Sequence, residues 1–201
     1  YATAQYPALP QTGQIDLTKK VIAYSVLPGA TAYDNDSNCG AFNQYHGTHT
    51  SGTLVGDNFA NLSSESNIGH DTADGMAPMA KLYFQDAGDD ISGCLSGLAS
   101  DYRLIFKQSY DVGARVHSNS WGAEANGEYT TDSFSVDDFC YNNDDFVICF
   151  AAGNSGYLSQ TINTPATAKN CITVGSLTNG SIGSNKVSDF SSKGPTKDGR
   201  I

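Results

Sequence analysis

The stretch FVICFAAG, Phe146–Gly153, decides the fold. It is an unbroken apolar run, too short for a membrane span and bounded by the polar NNDD and NSG. Such a run is expected of a strand buried on both faces of a parallel sheet. Working outward, TDSFSVDDFCYNN (Thr131–Asn143) reads as a helix opened by Thr131 or Asp132. ARVHSNSW (Ala114–Trp121) before it and CITVGS (Cys171–Ser176) after it read as further strands. Earlier still, apolar residues from Leu95 to Tyr110 share one helical face, with Gly113 as the residue that ends the helix. KKVIAYSVL (Lys19–Leu27) and AKLYFQDA (Ala80–Ala87) read as strands, and HGTHTSGTLVG as a helix of small residues. Strands alternating with helices predict an α/β fold with a mainly parallel sheet covered on both sides. Ligands in such sheets bind beyond the carboxyl ends of the strands. NSWG and AAGNSG stand at two of those ends.

The bulk composition narrows the function. Of 201 residues, 39% are hydrophobic and 16% charged, a globular balance. The net charge of −10, with 11 scattered Lys and Arg, argues against a nucleic-acid surface. No apolar run reaches the roughly 18 residues of a membrane span. The opening YATAQYPALP has neither Met nor a signal-peptide pattern, so Tyr1 reads as a processed or trimmed end. No repeat or linker interrupts the chain, and one domain is the simplest organisation. The five cysteines show no zinc spacing. Sequons at Asn35, Asn61 and Asn179, with the Asn, Ser and Tyr richness, favour a secreted or lumenal eukaryotic protein.

Three motifs carry chemistry. His46, at a helix start beside Gly47, is placed to act as a general base. An HxxH pair is also compatible with a metal site or with two structural histidines. A zinc-peptidase motif would need a Glu between His46 and His49, and none is there. Asn154, at the end of a buried strand, can donate to a developing oxyanion, or simply satisfy its own turn. Ser120, Trp121 and Gly122 offer a backbone edge for an extended peptide and one wall of a side-chain pocket, or else a core Trp before a turn.

The order HGTHTSGT, GMAP, NSWG, AAGNSG, ITVGS, FSSKGPTKDGRI resembles the subtilisin-like serine peptidases. It is most similar to the alkaline-protease branch, which reads NSWG and closes this region with FSSRGPTxDGRIKPD. The likeness runs from about Lys19 to Ile201. It implies a three-layer αβα sandwich, incomplete in this chain, with residues 1–201 forming the central part of one peptidase domain. By the resemblance His46 is the triad base, His49 a structural residue and Asn154 the oxyanion donor. Ser120–Gly122 and Ala151, Ala152 and Gly153 would form the two pocket walls, with Asn163 and Thr164 at its floor. The segment Asp86–Gly93 would flank the upstream subsites. The resemblance implies a peptide or protein substrate, the rest of its own catalytic domain as partner, no required cofactor, and room for structural calcium without a clear motif for it.

The chain also departs from the family pattern. No GTS-x-A occurs, so the nucleophilic serine is expected after Ile201. No D-T/S-G occurs, so the catalytic aspartate is expected before Tyr1. Asp16 stands thirty residues before His46 but lacks the following T/S-G, and Asp34 and Asp36 read as loop residues or weak cation ligands. These 201 residues alone are expected to be inert for want of a nucleophile. Two functions are open: a serine endopeptidase, or a pseudo-peptidase that keeps the fold for binding. The resemblance also implies disulfides Cys39–Cys94 and Cys140–Cys171, with Cys149 buried and free.

Overall fold

The computed structural model describes residues 13–31, 45–57, 74–89, 92–179 and 186–201. Along them run β1 (Val21–Val26), α1 (His46–Val55), β2 (Leu82–Asp86), α2 (Arg103–Asp111), β3 (Val116–Asn119), α3 (Thr131–Asn142), β4 (Val147–Ala151) and β5 (Ile172–Val174). The chain divides into two compact units, Tyr1–Leu98 and Ala99–Ile201. Among the described residues the first unit holds a parallel sheet with one helix and the second a parallel sheet with two, as parts of an incomplete α/β sandwich.

In the first unit β1 pairs with β2 in parallel, from Val21 opposite Leu82 to Val26 opposite Asp86. Among the described residues of these 201, helix α1 is built of small side chains and none of them is buried. They serve a close backbone approach at its C-terminal end. The amides of Met76 and Ala77 donate to the carbonyls of Thr53 and Leu54 at 2.9 and 2.8 Å, and Gly75 N donates to Gly56 O at 2.8 Å. The GMAP turn thus satisfies carbonyls that a helix end otherwise leaves without partners. A Cβ on Gly75 would lie 2.6 Å from both Gly52 O and Gly56 N. Gly75→Ala is therefore expected to destabilise the protein by about 1–3 kcal/mol, the usual cost of overpacking, read as a lowered urea midpoint. An unchanged midpoint would show that the turn gives way freely.

In the second unit β3, β4 and β5 form one parallel sheet, with Asn119 opposite Phe150 and Ala151 opposite Val174. Parallel neighbours need a crossover, and α3 supplies it between β3 and β4. Thr130 caps α3, its Oγ1 accepting from Ser133 N at 3.5 Å. Phe106 of α2, Val136 and Phe139 of α3, and Phe146, Ile148 and Phe150 on and beside β4 make one core. Its rings meet edge-on or tilted, Phe139 at 5.6 Å from Phe106 and 5.4 Å from Phe146. Each such buried side chain contributes about 1.5–3 kcal/mol.

The expectation that β4 is buried on both faces is corrected by this packing. Ile148 and Phe150 are 0% and 1% exposed, whereas Val147 is 42% exposed. Both described helices of this unit cover one side of the sheet. Val116, Val147, Ile172 and Val174 lie exposed on its strands. The helix expected from Leu95 begins only at Arg103. Leu95 instead bridges Gly88 in antiparallel fashion, and Asp101 Oδ1 accepts from Arg103 N at 3.0 Å where the helix starts.

The pairing of Cys140 with Cys171 is also corrected: both are free thiols, as is the half-buried Cys149. The Cys171 sulfur is turned to Thr173 Oγ1, Ala168 O and Ala166 O at 3.5, 3.8 and 3.9 Å. Burial raises the Cys140 thiol to about 11, with the neighbouring Cys171 and Asp137 adding to the shift. Cys94 is not among the free thiols. Its expected partner Cys39 lies outside the described residues, as do Asp34, Asp36, Asn35 and Asn61. Asn179 is described and exposed.

His117 on β3 points to the core side, its ring 5.1 Å from Phe106 and 6.1 Å from Phe146. Burial lowers its pKa from the ordinary 6.5 to about 4, against a smaller opposing influence of the neighbouring Asn119 side chain. The unfolded chain therefore binds a proton that the folded chain refuses between those two values. Stability is lost as pH falls through 6.5 towards 4 and is constant in this respect above 6.5. Between pH 7 and pH 4.5 the wild type is expected to lose about 2–3 kcal/mol more than His117→Gln, measured by urea unfolding. Equal losses would remove His117 from the acid response.

Candidate active site

The parallel register of β3 and β4 puts their carboxyl ends side by side. The chain leaving β3 is Ser120, Trp121, Gly122, and the chain leaving β4 is Ala152, Gly153, Asn154. Between them lies a cavity of about 260 Å³ lined by Ser120, Trp121, Gly122, Glu124, Ala151, Gly153, Asn154, Ser155 and Asn163. That is just below the roughly 300 Å³ at which pockets for whole drug-sized ligands begin. It suits a side chain.

The segment 161–164 closes the floor and ties the two walls together. Ala123 and Thr164 exchange both backbone hydrogen bonds at 2.9 Å, and Asn163 N donates to Ala152 O at 2.9 Å. Beneath the floor, Thr164, Ser133 and Thr167 share a buried hydroxyl chain that ends at Glu128 O. Gly122 and Gly153 are required by closeness. A Cβ on Gly122 would meet Thr164 O at 2.8 Å, and one on Gly153 would meet Asn163 Cγ at 2.6 Å. Gly153 also has φ +113, a conformation open to glycine and strained for other residues. Trp121 is half-buried and packs edge-on to Tyr102 and Phe150, both at 5.2 Å, so it is a wall residue and a core residue at once.

Polar groups at this cavity differ in how they are satisfied. The Asn163 Oδ1 is buried without a hydrogen-bond partner. Leaving such an acceptor unpaired costs about 1–3 kcal/mol, which a donor on a bound side chain would relieve. The Asn154 side chain is exposed and makes no hydrogen bond to a described residue, so its amide is available to donate. Glu124 Oε1 accepts from Ser155 Oγ at 3.2 Å, and Ser155 N donates to Ser192 Oγ at 3.1 Å.

Of the residues singled out in the sequence, the structure gathers Ser120, Trp121, Gly122, Ala151, Gly153, Asn154 and Asn163 around this cavity. Ala152 it places in the core, 3% exposed. Thr164 is 5% exposed, beneath the floor. Glu124 and Ser155 complete the lining. Ser155 lies within AAGNSG, but nothing in that motif gives its side chain a role, and Glu124 lies outside NSWG and reaches the cavity through the pairing of Ala123 with Thr164.

His46 lies in the first unit as the opening residue of α1, half-buried after Tyr45, whose φ is 61. Its imidazole has no hydrogen-bond partner among the described residues. His49, one turn on, is exposed. Asp16 is half-buried and closes a local turn, accepting from Thr18 N at 3.0 Å. A bond from the Thr18 hydroxyl, and after it the one from Thr18 N, hold its carboxyl below the ordinary range. From Asp86 to Asp89 the chain runs from the end of β2 into a loop, where Asp89 Oδ2 accepts from Ser92 Oγ at 2.6 Å.

The same residues find relatives among known proteins. Residues 13–201 match the Subtilase family, Peptidase_S8. The serine protease/ABC transporter B family protein tagD of Dictyostelium discoideum is 35% identical over 161 residues, 78% of this chain and 8% of that protein. Subtilisin of Bacillus sp. (strain TA39) is 31% identical over 186 residues, 91% of this chain and 41% of that protein. Among solved structures, Sphericase superposes with a TM-score of 0.53 at 31% identity, covering 73% of this chain and 44% of the other. The chain thus spans less than half the length of each of these relatives. With the family matched over nearly its whole length and the fold shared, this chain belongs to the subtilase family of serine peptidases.

Proposed function

We propose that this chain is the central part of a serine endopeptidase that cleaves peptide bonds by acyl transfer. The observation that carries the reading is the cavity at the ends of β3 and β4, with the Asn154 amide at its edge and without a partner among the described residues. In this reading a substrate side chain enters between Ser120–Gly122 and Ala151–Gly153, over the floor at Asn163. His46 takes the proton of the attacking serine hydroxyl and later gives it to the leaving amine. Asn154 donates to the oxyanion of the tetrahedral intermediate. The serine and the aspartate that orients His46 come from chain outside these 201 residues. Side chains and backbone suffice for the chemistry, so no cofactor is invoked. We place the protein in a secreted or lumenal compartment and pair Cys39 with Cys94 on the same footing. Among the described residues no helix is long and apolar enough to cross a membrane.

The experiment is hydrolysis of an internally quenched peptide by the full-length protein. Cleavage inside the peptide, abolished by a serine-directed sulfonyl fluoride, is the expected result. Tight binding of the peptide with no cleavage would instead favour a pseudo-peptidase that uses the same cleft.

A further inference from the structure

We propose that the cavity selects a cationic side chain, arginine or lysine, at the residue preceding the cleaved bond, and that Glu124 is the group that selects it. The inference rests on the peptidase reading for its substrate and deepens it to a substrate class. Glu124 is the only charged residue among the nine described residues that line the cavity. It makes no salt bridge among the described residues, although those residues pair other surface acids such as Asp101, Asp111 and Glu128 with Arg or Lys. Ser155 Oγ holds one of its oxygens from the opposite wall, 3.2 Å away. The floor adds a second acceptor, the buried and unpartnered Asn163 Oδ1.

These features ask for a ligand made of donors. Guanidinium carries five N–H groups and ammonium three, and neither has an acceptor. A cation can satisfy the Asn163 oxygen and face the Glu124 carboxylate together. An aliphatic side chain would leave the oxygen unpaired and strip water from Glu124 with no counter-charge, the kind of mismatch by which sites reject competitors. A carboxylate side chain would meet a like charge.

The test uses the full-length protein and peptides that differ only at that residue: Arg, Lys, Gln, Leu and Glu. Arg and Lys are expected to give the highest kcat/KM. Glu124→Gln is expected to lower the Arg-to-Leu ratio by roughly tenfold, since Glu124 is exposed in the free protein and its charge is screened there. Ser155→Ala, which releases the carboxylate, should lower it less. A leucine preference, or an arginine preference that Glu124→Gln leaves unmoved, overturns the proposal. Calorimetry with benzamidinium against neutral benzamide reads the pocket without any turnover. Binding of the cation alone, weakened by Glu124→Gln, supports the proposal even if no peptide is cut and no serine reacts, in which case only the peptidase reading falls. Equal binding of the two compounds, or binding of neither, overturns it. Should Glu124→Gln fail to fold, the two compounds on the wild type decide.

Discussion

Replacing His46 by alanine in the full-length protein is expected to reduce kcat by about 10⁶ while leaving the fold intact, the loss already known for the triad histidine of subtilisin. Both halves of the expectation follow from where the residue sits. His46 opens α1, and within these 201 residues no residue of α1 is buried. Alanine is the best helix former, so the substitution removes no core contact and favours the helix. The imidazole also has no described hydrogen-bond partner whose loss could be felt elsewhere. What disappears is the proton acceptor, and with it the means of making a serine hydroxyl nucleophilic at neutral pH. The companion variant His49→Ala removes an exposed side chain from the same helix. Its effect is expected to stay within about 0.5 kcal/mol, as for most surface substitutions. Steady-state kinetics and urea unfolding of the pair decide the matter. Similar losses of kcat in both variants would return the two histidines to a shared structural or metal-binding role.

The second large effect is expected at Asn154. Leucine matches the shape of asparagine without its amide, and Asn154 is exposed, so Asn154→Leu leaves no buried group stranded. The amide has no hydrogen-bond partner among the described residues, and the proposed mechanism uses it only once charge develops on the scissile oxygen. An interaction made in the transition state alone appears in kcat, with KM little changed. The expected fall is about 10²–10³ in kcat, the range already known for this donor in subtilisin. A rise in KM at constant kcat would make Asn154 a ground-state contact with the peptide.

The two units differ in how far their sequence could be read. Local patterns placed β4, α3 and the strand ends because they depend on neighbouring residues: an apolar run, a polar opening, a change of period; the cap itself is Thr130, one residue before the Thr131 or Asp132 expected. The same reasoning extended α2 back to Leu95, since periodicity sees apolar spacing but not the bridge from Leu95 to Gly88 that keeps this segment extended. Whether β4 is covered on one face or two depends on which helices lie across the sheet, which its own sequence does not encode. The walls of the cavity were legible as motifs. Its charge was not, because a single Glu in WGAEANG acquires meaning only when the pairing of Ala123 with Thr164 brings that loop to the floor. The Cys140–Cys171 link failed for a similar reason: the resemblance speaks to neighbourhood, whereas a bond also needs the two sulfurs to face each other, and Cys171 faces backbone carbonyls.

A serine peptidase whose base is His46 should react, at full length, with a fluorophosphonate, and peptide mass spectrometry locates the adduct. One modified serine is expected, in chain that follows Ile201, with labelling lost in His46→Ala and retained in His49→Ala. An unmodified protein, or labelling indifferent to His46→Ala, would contradict this assignment.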